Sequence, residues 1–444
     1  MAEKEDYSKQ VIRVDDDGEV ITPVEGADDG ESAVAVERES SFTEVVKRLF
    51  GGDRVLWVII IALMTISVLV VYSSTAKMAY MPSSSSSPAE FLRTQLIYLV
   101  GGAVLLFGVH RINSRVYRYF APLVWLVSVV MTFAVYFTDN TTNGAARWFP
   151  IFGFQFQPSE MLKVAVVLFL AHQLAKRQKT INTQRIIPTL KIWKWNTPEE
   201  RAVWRDGGKA LFVPIVLSCM AILPAHTSSA VIVFLVSVAM LIIGRVKWTE
   251  IWRLIMWAIL GVSMVFMLGI GRGDTAGGRI STWIELWTTS RMEVAAEDLT
   301  DTERAMIAIH NGGILGRGAG HSTVRVEMTH PESDYAFAFF VEEYGIGLAM
   351  ILVALYVWVF FRAIEIFEKC PKRFPAMLAL GLALLITGQA LAHIMVTVNI
   401  FPETGQTLPL ISRGGSSLIF TCIALGMILS VSRQTEEGSH AEEN

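Results

Sequence analysis

Apolar residues run along this chain in long blocks that are too uniform for the helices of a soluble domain. The first block, 55–72, has eighteen residues without a charge, close to the length that crosses a bilayer core of about 30 Å. Comparable blocks recur at 94–109, 119–138, 158–175, 210–225, 227–244, 254–271, 336–361, 376–398 and 409–432. The pattern predicts an all-α polytopic membrane protein with about ten transmembrane helices.

The polar stretches around these blocks predict the domain organisation. Residues 1–44 contain 14 Asp and Glu against four Lys and Arg, so we expect an acidic, disordered cytoplasmic tail. The membrane domain is expected over 45–433, with one long outer loop, 272–335, between the seventh and eighth helices. Residues 434–444 are expected to form a short acidic cytoplasmic tail.

Loop charge predicts the orientation. With the N-terminus inside, the cytoplasmic loops hold 19 Lys and Arg and the outer loops hold nine, which places both termini in the cytoplasm. The net charge of −3 argues against nucleic-acid binding, but it combines −10 in 1–44, +11 in 45–433 and −4 in 434–444. The basic membrane domain suits anionic lipids and a pyrophosphate-bearing substrate.

The first candidate site lies around the fourth helix. An Asn-Gly-Ala-Ala stretch leads to Arg147 and Trp148, and a Gln-Pro-Ser stretch leads to Glu160 and Lys163. Glu160 and Lys163 share a helix face because they are three residues apart. The spacing predicts either a structural ion pair or a charged cavity that attracts an anionic headgroup.

The second and third candidates are a glycine-rich stretch and the acidic helix that follows it. Residues 312–322 contain five glycines and end in Ser322, which indicates either a phosphate-binding loop or a flexible turn. Farther along, Asp334 enters an aromatic helix that also carries Glu342 and Glu343. Asp334 suits a general base, whereas the alternative is that Ser333 or Asp334 caps the helix.

The fourth candidate precedes the last helix. Two prolines and three glycines interrupt the apolar pattern over 401–417, a segment that also holds Arg413, Ser416 and Ser417. Irregular backbone at membrane depth usually lines a cavity. The alternative is a purely structural re-entrant turn. His393, alone on an apolar helix face, is expected to be a hydrogen-bonded core residue.

Together and in this order, the four motifs resemble the SEDS (FtsW/RodA) family of membrane glycosyltransferases over about residues 55–433. The resemblance implies polymerisation of lipid II into peptidoglycan strands at the outer face of the cytoplasmic membrane, with inversion at the anomeric carbon and a polyprenyl pyrophosphate leaving group. It places the family's essential aspartate on Asp334. It also implies substrate binding by Arg147, Trp148, Glu160, Lys163, Ser322, Glu342, Glu343, Arg413, Ser416 and Ser417.

The resemblance further implies a class B penicillin-binding protein, a transpeptidase, as partner. It allows a divalent cation, Mg²⁺ or Mn²⁺, at Asp334, and no organic cofactor is expected. The Ser-Arg-Gly-Gly form around Arg413 favours the division-type, FtsW-like branch and hence the division septum. The acidic tail is expected to be a solvated spacer or a binding site for other division proteins.

Two features depart from the family pattern. Arg413 stands where the family more usually has an aromatic or small residue before Gly-Gly. The family usually has a Pro-Asp-x-Gly-Thr-like element at the end of the fifth helix, where this chain has Pro-Ala-His-Thr-Ser-Ser over 224–229. No functional residue is carried onto that segment. Three other hypotheses stay open: a lipid II flippase or other transporter, a RodA-like enzyme of cell elongation, and a division scaffold without activity.

Overall fold

The structure is a computed structural model that describes residues 50–75, 88–137, 141–142, 145–146, 148–151, 154–181, 185–189, 195, 197–267, 273–288, 299–323, 328 and 333–443. The chain divides into two compact units, Met1–Gly51 and Gly52–Asn444, and the helical bundle is the second. The tail predicted over 1–44 lies outside the described residues, so its disorder stays a prediction.

Helices make up nearly all of the described bundle. They are α1 (Arg54–Thr75), α2 (Pro88–Arg111), α3 (Ser114–Ala134), α4 (Pro158–Arg177), α5 (Pro198–Val203), α6 (Val213–Ile222), α7 (Thr227–Ile243), α8 (Trp248–Met267), α9 (Gly273–Thr288), α10 (Asp301–Gly312), α11 (Ala336–Lys369), α12 (Arg373–Thr397) and α13 (Gly415–Glu443). A 3₁₀ turn, Val135–Phe137, follows α3, and a π-helical stretch, Trp204–Phe212, precedes α6.

Two short antiparallel hairpins lie between α3 and α4. The first pairs β1 (Thr141–Thr142) with β2 (Ala145–Ala146), and the second pairs β3 (Phe149–Ile151) with β4 (Phe154–Phe156). The second hairpin leads directly into Pro158 at the start of α4. Proline suits that position because the first helical N–H has no partner within the helix.

Each of the ten predicted apolar blocks contains a helix, which confirms the all-α polytopic architecture. Among the described residues, six helices are long and apolar enough to cross a membrane, and two shorter apolar helices, Gly207–Ile222 and Thr227–Ile243, accompany them. Helices α12 and α13 are largely buried, whereas α2 and α3 turn many apolar side chains outward. Such apolar outer surfaces are what a lipid environment requires.

Three segments differ from the sequence-based expectation. The long loop predicted over 272–335 contains α9 and α10, and α10 begins with a capping box between Thr300 and Glu303. The last helix begins at Gly415 rather than 409, because residues 409–411 form a turn. The predicted tail 434–444 continues that helix as far as Glu443.

Helix α11 contains a break that the apolar pattern conceals. Gly345 has φ of 82° and ψ of 166°, which is not a helical conformation. A methyl group added there would lie 2.2 Å from the carbonyl oxygen of Ile314. Glycine is therefore required twice at this position, for its backbone conformation and for the close approach of the loop after α10.

Candidate active site

A buried ion pair lies in the first two turns of α4. The Nζ atom of Lys163 is 2.8 Å from Oε1 of Glu160 and donates a 2.9 Å hydrogen bond to Oε1 of Gln389 on α12. Lys163 is only 2% exposed. A cation at this depth needs such partners, because leaving it unpaired would cost several kcal/mol.

The network continues into the segment before α13. Gln389 donates through Nε2 to the carbonyl oxygen of Thr407 at 3.1 Å, and Oγ1 of Thr407 lies 2.8 Å from Oγ of Ser417. Glu160, Lys163 and Gln389 also line a small recess together with Val164, Leu385 and Pro409. The first and fourth sequence motifs therefore meet in one polar network.

Ser416 makes a second link between the same two motifs. Its hydroxyl donates to the carbonyl oxygen of Gln155 at 2.7 Å and accepts from the backbone N–H of Gln157 at 3.0 Å. Trp148, half-buried, directly precedes β3 in the hairpin that contains Gln155. Arg147 lies outside the described residues, so its predicted role stays a prediction.

Asp334 lies in the turn that precedes α11. Its Oδ1 accepts a 2.9 Å hydrogen bond from the hydroxyl of Ser333, whose carbonyl oxygen accepts a 2.8 Å bond from the hydroxyl of Ser412. A methyl group added at Gly405 would lie 3.6 Å from Oδ2 of Asp334. The third and fourth motifs therefore meet at a half-buried carboxylate.

The helix-cap alternative for Ser333 and Asp334 is wrong. Helix α11 begins at Ala336, and its N-cap position is Tyr335, whose side chain makes no capping hydrogen bond. The hydroxyl of Tyr335 instead lies 3.0 Å from Oγ1 of Thr302 on α10. Asp334 thus lies one residue before the N-cap position of α11.

A second carboxylate, Glu403, lies near Asp334. Burial raises the pKa of Glu403, the charges of Asp334 and Asp301 raise it further, and Arg279 opposes the shift. The guanidinium Nε of Arg279 is 3.9 Å from Oε2 of Glu403. Sequence reasoning assigned Glu403 no role, because nothing in its local pattern indicates proximity to Asp334.

Glu342 and Glu343 are fully buried and fix the glycine-rich loop. Glu342 accepts hydrogen bonds from the hydroxyl of Ser322 and, at 3.0 Å, from the backbone N–H of Thr323. Glu343 accepts through Oε1 from the hydroxyl of Ser73 at 2.7 Å and from the N–H of Gly320 at 2.9 Å. The structure brings Ser322, Glu342 and Glu343 together as a loop anchor, and their predicted substrate contacts stay predictions.

The backbone of the same loop also pairs with α11. The N–H groups of Arg317 and Gly318 donate to the carbonyl oxygens of Glu342 and Glu343, each at 2.9 Å. These carbonyls are available because the helix breaks at Gly345. The N–H groups of Gly318 and Gly320 are thus engaged by α11 and its side chains, which argues against a phosphate-binding loop.

The predicted residues therefore fall into two groups. One group, Ser322, Glu342 and Glu343, anchors the glycine-rich loop. The other group is connected by the 401–417 segment and consists of Asp334, Glu160, Lys163, Ser416 and Ser417. Arg413 belongs to the same segment and is half-buried, two residues before Gly415, which packs on the ring of Tyr98. Sequence reasoning missed the polar side chains that complete this arrangement, namely Gln389, Thr407, Gln406, Ser228 and Ser229.

The described residues also bear on metal binding. Within those ranges, no three His, Cys, Asp or Glu side chains come together as a set that could hold a metal ion. Asp334 and Glu403 supply carboxylate oxygens, which are the ligands that Mg²⁺ and Mn²⁺ prefer. A cation at Asp334 would need more ligands than these two carboxylates, and phosphate oxygens of a substrate are ligands of the required kind.

The fold and site define a polytopic membrane protein. Its buried Glu160–Lys163 pair and its half-buried Asp334 carboxylate are connected by the irregular 401–417 segment. The family model for FtsW, RodA and SpoVE, described as cell cycle protein, matches residues 53–437. The chain belongs to this family, which confirms the resemblance drawn from the four motifs.

Relatives and solved structures agree with that assignment. Probable peptidoglycan glycosyltransferase FtsW from Aliivibrio salmonicida is 27% identical over 398 residues, covering 88% of this chain and 91% of the relative. The protein of that name from Pseudomonas fluorescens is 31% identical over 306 residues, covering 68% of each chain. Both names agree with the division-type branch.

Two solved structures share the fold. A chain of a peptidoglycan synthase complex aligns with a TM-score of 0.61 at 20% identity, over 86% of this chain and 98% of that one. Rod shape determining protein RodA from Thermus thermophilus aligns with a TM-score of 0.56 at 20% identity, over 86% and 97%. At this identity the likeness concerns the fold.

Proposed function

We propose that this protein is a peptidoglycan glycosyltransferase that polymerises lipid II during cell division. The observation that carries the proposal is the 401–417 segment, which lies beside the Asp334 carboxylate at Gly405 and is linked through Gln389 to the buried cation Lys163. A glycosyl transfer from a lipid pyrophosphate needs both groups: a base for the acceptor and positive charge for the leaving group.

In the proposed reaction Asp334 is the general base. It removes the proton from the 4-hydroxyl of the acceptor sugar as that oxygen forms a bond to the anomeric carbon of the donor. The bond from the anomeric carbon to the pyrophosphate oxygen breaks, and its electron pair leaves with the polyprenyl pyrophosphate. A single direct displacement of this kind inverts the anomeric centre.

Lys163 and Arg147 are proposed to stabilise the pyrophosphate charge. An ammonium group has three N–H donors, and Glu160 and Gln389 take two of those on Lys163. The remaining N–H donor is the one proposed to bind a phosphate oxygen of the substrate. Trp148, Arg413, Ser416 and Ser417 are proposed to line the substrate path.

A retaining mechanism would require a carboxylate nucleophile at the anomeric carbon. Glu342 is 0% exposed and accepts hydrogen bonds from Ser322 and Thr323. Reaching a substrate would break these bonds and expose a buried loop anchor. Glu342 and Glu343 are therefore assigned to the architecture of the site, and the inverting route is favoured.

The membrane setting follows from the fold, and the septal location belongs to the proposal. The FtsW names of the relatives support division over elongation. The fold shared with a chain of a peptidoglycan synthase complex supports a class B penicillin-binding protein as partner. A divalent cation is proposed to arrive with the pyrophosphate, because Asp334 and Glu403 alone do not make a resident site.

Gel analysis of lipid II polymerisation tests the proposal. The full-length protein, with and without its transpeptidase and with and without EDTA, is expected to lengthen lipid II into strands. Asp334→Asn should abolish this while expression and folding are retained. No polymer from the wild type in any condition, together with headgroup flipping in liposomes that survives Asp334→Asn, would favour a lipid II flippase.

A further inference from the structure

The 401–414 segment is anchored by a helix that the family resemblance left without a role. The side-chain amide of Gln406 donates through Nε2 to the hydroxyls of Ser228 at 3.0 Å and Ser229 at 2.7 Å. Ser228 in turn donates to the carbonyl oxygen of Thr404 at 3.0 Å. Ser228 and Ser229 lie in the first turn of α7, within the stretch that departs from the family pattern.

A buried imidazole ties the same glutamine to the start of α11. Nδ1 of His393 lies 2.7 Å from the carbonyl oxygen of Gln406, so Nδ1 must carry the proton. Nε2 then accepts from the backbone N–H of Phe337 at 3.4 Å. Both ring nitrogens are therefore used, and His393 connects the segment to a residue three positions after Asp334.

These contacts converge next to the Asp334 carboxylate. Gly405 precedes Gln406, has φ of 62°, and is the residue at which an added methyl group would lie 3.6 Å from Oδ2 of Asp334. On the other side, Ser412 bonds to the carbonyl oxygen of Ser333 at 2.8 Å and accepts from the N–H of Leu408, also at 2.8 Å. The position of Gln406 thus determines where the backbone beside Asp334 lies.

We propose that Gln406, held by Ser228, Ser229 and His393, is a positioning residue that fixes the 401–414 segment against Asp334. Buried irregular backbone must find hydrogen-bond partners within the protein, and polar side chains supply them here. A fully satisfied buried network selects one geometry, because every alternative leaves a polar group unpaired. The inference rests on the proposed function and assigns a purpose to the 224–229 stretch.

Steady-state kinetics with lipid II test the inference on full-length protein. Displacing a catalytic group by about 1 Å lowers turnover on the order of 100-fold, so Gln406→Leu is expected to lower kcat by about 10- to 100-fold. The KM for lipid II should stay within about threefold, because the substrate-binding groups are retained. A network with only a structural role would lower the amount of folded protein and leave kcat per folded molecule unchanged.

Two smaller substitutions in α7 test the inference even if Gln406→Leu does not fold. Ser229→Ala removes one acceptor and should lower kcat by about three- to tenfold. Ser237→Ala is the matched control, since this buried serine of the same helix donates to the carbonyl oxygen of Val233 within α7, and kcat should stay within about twofold. Equal kcat values for Ser229→Ala, Ser237→Ala and wild type would overturn the inference.

Replacing His393 adds a rescue test. Asparagine can present an N–H near the position of Nδ1 and keep the bond to the Gln406 carbonyl, whereas leucine cannot. His393→Asn should therefore recover at least about tenfold in kcat over His393→Leu at equal folded protein. Identical kcat for the two variants contradicts the inference. An inactive wild type would instead overturn the proposed function, so the two failures are distinguishable.

Discussion

Asp334 and the pair Glu342–Glu343 lie on one short stretch of chain in opposite environments. Asp334 is half-buried, in a turn, and bonded to the hydroxyl of its neighbour Ser333. Glu342 and Glu343 are 0% and 1% exposed and accept hydrogen bonds from a loop that α11 packs against. The same functional group therefore serves two purposes, and the hydrogen-bond donors around it determine which.

The difference arises from where α11 begins and where it breaks. Because the helix starts at Ala336, Asp334 is outside it and faces the 401–414 segment. Because Gly345 interrupts it, the carbonyls of the acidic pair can accept hydrogen bonds from the loop. A buried carboxylate must have such donors, and the glycines of that loop allow the backbone to supply them.

The largest change in stability is expected at a third carboxylate, Glu160. Its partner is the ammonium group of Lys163, whereas Glu342 and Glu343 accept hydrogen bonds from a loop. Lys163→Met should lower the free energy of unfolding by about 3–5 kcal/mol, because it leaves Glu160 buried without its partner. Thermal unfolding in detergent measures the change. The double variant Glu160→Gln/Lys163→Met should recover most of the loss, and a loss equal to that of Lys163→Met would contradict the account.

Asp334→Glu tests whether turnover depends on the position of the carboxylate at this site. The added methylene moves the carboxylate by about 1 Å, so turnover should fall on the order of 100-fold, equivalent to about 2.7 kcal/mol in the barrier. The melting temperature should not change, because the site is only half-buried. Initial rates with lipid II check this, and wild-type turnover by Asp334→Glu would show that position does not matter here.

Glu343→Gln tests the loop-anchor role. Replacing the carboxylate by an amide weakens the bonds from Ser73 and Gly320 and should cost about 1–3 kcal/mol in stability. Limited proteolysis should detect faster cleavage within the 313–323 loop. Glu437→Gln, at an exposed residue paired with Arg433, is the matched control and should behave as wild type.

The smallest expected effect is a pH dependence at Glu403. Its pKa is raised above the ordinary 4.5, so the folded protein binds this proton more tightly than the unfolded chain does. The stabilisation is fully present below pH 4.5 and is lost as pH rises through the raised pKa. Melting temperatures of Glu403→Gln should lack this part of the pH dependence, and superimposable pH profiles would argue against it.

Much of this arrangement could be predicted from the sequence. The apolar blocks predict the positions of ten of the helices, because a membrane-spanning helix needs a minimum apolar length. The i, i+3 spacing predicts the Glu160–Lys163 pair, which the structure contains. The isolated His393 was expected to be a hydrogen-bonded core residue, and both of its ring nitrogens are engaged.

The rest depends on contacts between distant parts of the chain. Glu342 and Asp334 are both carboxylates beside aromatic residues in the sequence. Only the fold shows that Ser322 and Thr323 donate hydrogen bonds to Glu342. Ser228 and Ser229 resemble an ordinary helix start, because their partner Gln406 lies more than 170 residues farther along. Local pattern carries no information about such pairs.

The most direct test compares Asp334→Asn with Glu343→Gln in one lipid II polymerisation assay, with rates normalised to folded protein. Asp334→Asn should lose at least about 10³-fold in initial rate, within the range expected for removal of a general base. Glu343→Gln should stay within about threefold of wild type. Wild-type rates from Asp334→Asn, or equal loss from both variants with folding intact, would contradict the division of roles between these carboxylates.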